Sequence, residues 1–288
     1  MPEICLIPPV GEPVSVTEAK LHLRVTDTAQ DLLIGMMISA ARRHAEMETR
    51  RQFLHARFKL VLDKFPMSGV GTPLPFSRVV NVPGYAAKLP HAPAVDIVSV
   101  NYLDMNTSPQ VMDPATYVAN LAIEPGIVTP CFGQIWPIPL PQIGAVSFTY
   151  DAGYASPMTV PAAGTAFSVN GPVTWLPGAL VQFYNSGGAL PSPLQPQANY
   201  LIATAATGTY TLTDMAGNPI TFTDQGSGSS FIGVVPEGIR NWILIRVGSM
   251  YENREEVAIL NRGRVEELPF IDGLLDPYRV RADSFDSY

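Results

Sequence analysis

The stretch from Val235 to Val257, VPEGIRNWILIRVGSMYENREEV, begins like the interior of a protein and ends like its surface. Pro236 suits the first helical position, where its missing N–H is no loss, and Glu237 suits the positive end of a helix dipole. Ile239, Trp242, Ile243, Val247, Met250 and Tyr251 repeat at the spacing of one helix face, widened by Leu244 and Ile245. The segment predicts a helix buried on most sides at its start, emerging into water from Glu252 onward. Glu252, Glu255 and Glu256 crowd one another at i+3 and i+4, and Arg254 cannot offset all three. Either this end is a fully solvated face, or some of the acids find partners on another subunit.

Upstream, charge almost disappears. Leu89 to Ile239 contains no Lys or Arg, and between Ala155 and Val235 only Asp214 and Asp224 are charged. Residues 180–184, 200–204, 210–213 and 220–223 read as strands separated by Gly, Pro and Asn turns, with 214–218 a hairpin turn. Residues 155–234 are therefore expected to form an inserted all-β domain, with Trp175, Tyr184, Tyr200 and Tyr210 in its core.

The N-terminal third returns to helical spacing. Ser15-Val-Thr-Glu18 is a capping box: the Ser15 hydroxyl is expected to accept from the Glu18 amide while the Glu18 carboxylate reaches back to Ser15. A short helix should follow to about Arg24. Thr26-Asp27-Thr28 supplies the next cap, and Leu32, Leu33, Met36, Met37, Ala40, Ala41, His44 and Ala45 predict a long amphipathic helix to about Arg51. Its outer face is expected to carry Arg42, Arg43, Glu46, Glu48, Arg50 and Arg51, a solvated face in preference to a nucleic-acid patch. Arg42 and Arg43 join Glu252, Arg254, Glu255 and Glu256 as candidate subunit-interface residues. From Phe58 the period changes from 3.6 to 2, which marks a strand, and further strands are expected at 97–103, near 116–118 and at 145–150. Trp136, between proline-rich flanks, is expected to plug this small sheet.

Composition bounds the rest. With 47% apolar residues among 288, the chain can bury a core, while 28 Pro, 23 Gly and only 15% charged residues favour turn-rich β structure beside the helices. The fold class is α+β. A net charge of −7 argues against general affinity for nucleic acid, which needs clustered Lys and Arg. The opening MPEICLIPPV lacks a basic n-region, and no apolar run approaches the roughly 18 residues of a membrane helix, so a soluble cytoplasmic chain is expected. Cys5 and Cys131 read as two buried free thiols. His22 and His44 have no Cys or second His nearby, and no GxSxG, HExxH, P-loop or Ser/His/Asp set is present. No catalytic centre, metal or cofactor is expected.

Together these elements carry a resemblance. Pro13-Val-Ser-Val-Thr-Glu-Ala-Lys-Leu-His-Leu-Arg-Val25, Asp31-Leu-Leu-Ile34 and Ala40-Ala-Arg42 resemble the opening helices of the head-tail connector (adaptor) proteins of tailed bacteriophages. Trp136-Pro137, Tyr150-Asp-Ala-Gly-Tyr154, Val235-Pro-Glu-Gly-Ile-Arg240, Tyr251-Glu-Asn-Arg-Glu255 and Leu274-Leu-Asp-Pro-Tyr-Arg279 continue it in order. The resemblance spans both ends, 1–154 plus 235–288, as a helical framework with a small β region. Such proteins usually pass almost directly from the Gly-Tyr pair to the Val-Pro helix, whereas this chain places 155–234 between them.

The resemblance implies a virion neck protein assembled in the host cytoplasm. It would form a ring, commonly a dodecamer, between the portal protein and a tail-side stopper or tail terminator, with genomic DNA passing through the lumen without sequence-specific binding. It implies that the tail, 268–288, reaches the portal: Leu274, Leu275, Pro277, Tyr278 and Arg279 would begin that segment. Tyr278, Phe285 and Tyr288 would be its anchors, and Arg279 and Arg281 its charged contacts. Leu274 and Leu275 fit packing on the subunit's own helices equally well. A receptor- or carbohydrate-binding virion protein acting through the insertion is the alternative.

Overall fold

The computed structural model describes residues 3–66, 84–170, 174–196, 198–206, 208–253 and 273–280. Along the chain these form β1 (Glu3–Ile7), α1 (Val16–Leu23), α2 (Asp31–Thr49), β2 (Ala56–Leu62), β3 (Ala87–Leu89), β4 (Ala94–Leu103), β5 (Pro109–Val111), β6 (Tyr117–Asn120), β7 (Gly126–Pro130) and β8 (Val146–Ala152). There follow β9 (Ser156–Thr159), β10 (Ala166–Val169), β11 (Leu180–Ser186), β12 (Tyr200–Ala206), β13 (Thr209–Thr213), β14 (Ser229–Gly233) and α3 (Glu237–Glu252). A five-stranded antiparallel sheet has the order β1-β2-β8-β4-β5, a three-stranded sheet the order β3-β7-β6, and β9 to β14 close into an antiparallel barrel. The class is α+β, with the N-terminal helices α1 and α2 packed on the C-terminal α3.

Each layer has its own apolar core. Ile34, Ile38, Ala41 and Ala45 of α2 meet Ile239, Trp242, Ile243 and Val247 of α3, with Ala19 of α1. Trp136 fills the small-sheet core as expected, stacked on Phe65 at 4.7 Å and edge-on to Phe148, while its Nε1 donates to Tyr85 O at 2.7 Å. Phe167, Phe183, Ile202, Leu212, Phe222 and Ile232 fill the barrel, joined by Tyr200 and Tyr210, with Trp175 partly buried against them. Tyr184 and Phe231, although on barrel strands, instead enter the core of the helical layer.

The two ends of the insertion are locked side by side. A Cβ on Gly233 would stand 1.8 Å from Tyr154 O, and one on Gly153, at φ +133°, would stand 2.7 Å from Leu54 C and O. Only glycine permits this close approach. The barrel therefore leaves and re-enters the framework through adjacent strands.

Several expectations are corrected. Ser15 Oγ does accept from Glu18 N at 3.1 Å, but the Glu18 carboxylate turns away to Arg240 on α3, at 2.8 and 2.9 Å. A charged partner across the helix interface outcompetes a neutral amide. Asp27 makes a turn by accepting from Ala29 N at 3.0 Å, so α2 starts only at Asp31, whose carboxylate receives Lys20 Nζ at 2.8 Å. Pro236 caps α3 from outside its first turn.

The buried face of α2 is Ile34, Ile38, Ala41, Ala45 and Thr49, while Leu32, Met36 and Ala40 of the expected stripe face outward. Apolar residues occupy both sides of this helix, so periodicity alone leaves the core side ambiguous. Residues 220–223 do not form a strand: Ile220 N donates to Leu212 O, Phe222 N to Gly164 O and Thr223 N to Ser192 O, three different partners in four residues. The two thiols are free but not buried, since Cys5 lies on the exposed edge strand β1 and Cys131 in the half-buried turn after β7.

Candidate functional site

The C-terminal root, 273–280, docks where α2 ends and α3 begins. Leu275 is buried in the helical core, and Leu274 and Tyr278 pack against it. The Tyr278 ring comes so close to α3 that a Cβ on Gly238 would lie 3.1 Å from it. Val280 N donates to Thr49 O at 2.9 Å, using a carbonyl that the end of α2 leaves free. Arg279 reaches Glu48 and Asp276 at 3.3 and 3.2 Å, but all three side chains are exposed, so these contacts orient more than they stabilise.

Arg51 holds the root from beneath. Its Nε donates to Tyr278 O, and its two terminal nitrogens fork onto the Glu124 carboxylate. The guanidinium also lies 5.8 Å from the Tyr154 ring centroid. Burial pushes the Tyr154 phenol up to about 12, although the Arg51 charge opposes it. Arg51 thus ties the α2 terminus, the β6–β7 connection, the barrel entry and the tail root at one point. Replacing Arg51 with Ala should lower stability by about 2 kcal/mol, discounted because Glu124 keeps partial access to water. A denaturation midpoint equal to that of the parent chain would show that the fork carries no load.

Of the residues expected to meet the portal, Leu275 is committed to the subunit's own core, Leu274 and Tyr278 are half-buried against it, and Pro277 and Arg279 are exposed. Arg281, Phe285 and Tyr288 lie outside the described residues, as do Arg254, Glu255 and Glu256. Glu252 and Arg43 are exposed. Arg42, expected on the solvated face, is only 6% exposed. It donates to Glu12 at 2.7 and 3.3 Å and to Glu46 at 2.7 Å, because the loop before α1 folds over that edge of the helix. Burial pushes the Glu46 carboxyl up, opposed by Arg42 and by a hydrogen bond from Phe53 N.

Residues that spacing assigned to the amphipathic stripe, joined by Met47, line the outer side of α2 instead. Leu32, Met36 and Met47 are 81%, 63% and 69% exposed, with Ala40 and Arg43 between them, and Leu21 of α1 is 77% exposed. At 100° per residue this stripe lies opposite the face that packs on α3. The signal was present as a second apolar face, and what it lacked was a reason to choose between the two.

A third cluster sits where the large sheet meets the barrel. Arg57 Nε and a terminal nitrogen donate to the two oxygens of Asp151 at 2.7 and 2.8 Å, and His55 Nε2 lies 3.7 Å from the same carboxylate. The His55 ring stacks on Phe231 at 3.9 Å. Burial pushes the Asp151 carboxyl up, but the bonds from Arg57, with His55 beside it, outweigh this and hold it below the usual range. Among the described residues no group of His, Cys, Asp and Glu is placed to hold a metal, and no helix is long and apolar enough to cross a membrane.

No protein-family model matches the sequence, and no curated protein matches it. Solved structures do match its fold. A chain from the neck of an empty GTA particle, computed with C6 symmetry, superposes with a TM-score of 0.53 at 14% identity, covering 98% of this chain and 97% of that one. A chain from the virion of a native gene transfer agent (GTA) particle gives a TM-score of 0.52 at 14% identity with the same coverage. At these identities the similarity is one of fold, and it runs from end to end, barrel included.

Proposed function

We propose that the chain is a structural subunit of the neck of a tailed, phage-like particle, without catalytic chemistry: a head-tail connector that rings the DNA path below the portal. The observation that carries this reading is the end-to-end fold likeness to a chain of a GTA neck. The uncovered apolar stripe on α2 supports it, because a helix that is apolar on two opposite sides has a second surface to bury. A net charge of −7 suits a lumen through which DNA slides without being held. In this reading the copies form a dodecamer, which also obeys the six-fold symmetry of the GTA neck. Their contacts are the α2 stripe with Arg43, and the end of α3 with Glu252, Arg254, Glu255 and Glu256.

Leu274, Leu275 and Tyr278 fix the tail root, while Pro277, Arg279, Arg281, Phe285 and Tyr288 face the portal protein. The opposite side of the ring meets a stopper or tail terminator. Particles assembled without the chain are expected to stop as DNA-filled heads lacking tails, and supplying the chain should restore joining. A chain lacking 281–288 should keep its stability and fail to restore it. Normal tailed particles formed without the chain would overturn the reading.

The barrel, 155–234, is proposed as an accessory domain on the outside of the ring. It has its own core, and its two ends are adjacent. Joining Tyr154 to Val235 through a short linker should leave a framework that unfolds cooperatively, but with a lower midpoint, because Tyr184 and Phe231 leave its core. Non-cooperative melting of that chain would show that barrel and framework are one unit. The receptor-binding alternative has no support from the barrel aromatics Tyr184, Tyr200 and Tyr210, which are buried.

A further inference from the structure

Among the described residues the five-stranded sheet ends in two open edges, and both carry exposed apolar side chains. Among the described strands β1 pairs with β2 alone, and Ile4 and Leu6 stand exposed on it, with Val10 just beyond. Among the described strands β5 pairs with β4 alone, over residues 101–103, and Val111 is exposed there, with Met105 in the preceding turn and Val98 on the part of β4 that β5 does not reach. Edge strands offer unpaired N–H and C=O groups, and soluble proteins usually blunt them with charge or proline. Here β5 has Pro109, but the one acid of β1 is turned inward: Glu3 accepts from the Tyr150 hydroxyl and lies 3.0 Å from His91 Nε2.

Charge distinguishes the two flanks. Lys59, paired in register with Ile4, and Lys64, just after β2, have no partner within the described chain. The β5 flank is rimmed by Asp104 and Asp113 instead. Register places Ile4, Lys59, Thr149 and Ser99 in one row, and Asn101 with Val111 two residues along, so Ile4 and Val111 share a face of the sheet. Four antiparallel pairings make β1 and β5 run in the same direction.

The geometry points to a head-to-tail contact between copies of this chain, in which the basic β1 flank of one copy covers the acidic-rimmed β5 flank of the next. The shared strand direction and shared face allow this by rotation about an axis along the strands, without reversing either copy. A two-fold contact through β1 would oppose Lys59 to Lys59 and leave Val98, Met105 and Val111 uncovered. Because the two surfaces differ, the contact repeats until a ring closes. The inference rests on the ring reading above and adds to its helical contacts a second, sheet-edge contact between neighbours.

Paired thiols test it. On a Cys5→Ser, Cys131→Ser background, Ile4→Cys and Val111→Cys together place one thiol on each flank. Mild oxidation of the concentrated full chain should give a reducible ladder of dimers, trimers and larger species, whereas either thiol alone should give no ladder. Adding Lys59→Glu, on a side chain outside the core, should suppress the ladder with the circular dichroism spectrum unchanged. Dimers from Ile4→Cys alone would overturn the head-to-tail arrangement in favour of a two-fold one. Oligomers seen by light scattering without a ladder would remove the flank contact and leave the ring reading standing. A chain monomeric at all concentrations and without a ladder would also overturn the contact, while the ring reading is judged separately on assembled particles.

Discussion

Trp242→Ala is expected to destabilise the chain by about 3–5 kcal/mol, the range for emptying a large aromatic site in a packed core. Trp242 is 2% exposed, stands among Ile239, Ile243 and the α2 face, and stacks on His44 at 5.7 Å with the rings 4° from parallel. The loss falls on the contact between the N-terminal and C-terminal helices, so the whole helical layer should melt earlier. Trp242→Phe should cost much less, because the indole N–H is buried without a partner among the described residues, so its loss breaks no hydrogen bond there. Chemical denaturation of the three chains measures both. An unchanged midpoint for Trp242→Ala would mean that α2 and α3 do not depend on this packing.

The second large effect is expected at Asp151. Asp151→Asn keeps the shape but removes the charge that Arg57 grips from β2, and it leaves that guanidinium, beside the buried His55, with the neighbouring Asp96 carboxylate as its remaining counter-charge. Breaking a buried pair costs about 3–5 kcal/mol, and the lower end applies because Arg57 retains some access to water. The sign with pH follows from the direction of the shift. The folded carboxyl is held below its ordinary value, so its contribution is complete above the unfolded pKa and is lost as pH falls through the lower folded one. The parent chain should therefore lose more stability than Asp151→Asn below about pH 4. Parallel stability–pH curves in that range would show that the Asp151 carboxylate does not hold β8 to β2 through Arg57.

Much of the framework was legible because its signals are local. Ser15 caps α1, the alternation from Phe58 makes β2, and the apolar run after Pro236 makes α3. The barrel strands 180–184, 200–204 and 210–213 were also visible, since β-branched and aromatic residues dominate them. The barrel's closing strands were not. SPMT, AFSV and SSFIG are short and interrupted by Ser, Pro, Ala and Gly, and they are strands because the neighbours to which they bond already stand in place. Long-range pairing also decides the edge strands β1 and β5.

The site was legible in part. Leu274 to Arg279 does lie beside the helical layer, but Leu275 serves the subunit's own packing. Arg51 could not be singled out among six charges of one helix end. Its partners Glu124, Tyr154 and Tyr278 are far away in sequence and meet it only in the fold. Arg42 was misplaced for the same reason, since Glu12 covers it from another segment. The outer stripe of α2 shows the limit from the other side: an apolar face without a partner inside the subunit reads as core until the neighbouring helices are known.

Cryogenic electron imaging of the assembled particle, averaged about the axis of the head–tail junction, tests the neck assignment most directly. The chain is expected as a closed ring directly below the portal, with α2 stripes between neighbouring subunits, barrels on the outer wall and residues 281–288 against the portal. Density for the chain on the capsid surface or at the tail tip, with the junction built wholly from other proteins, would contradict it.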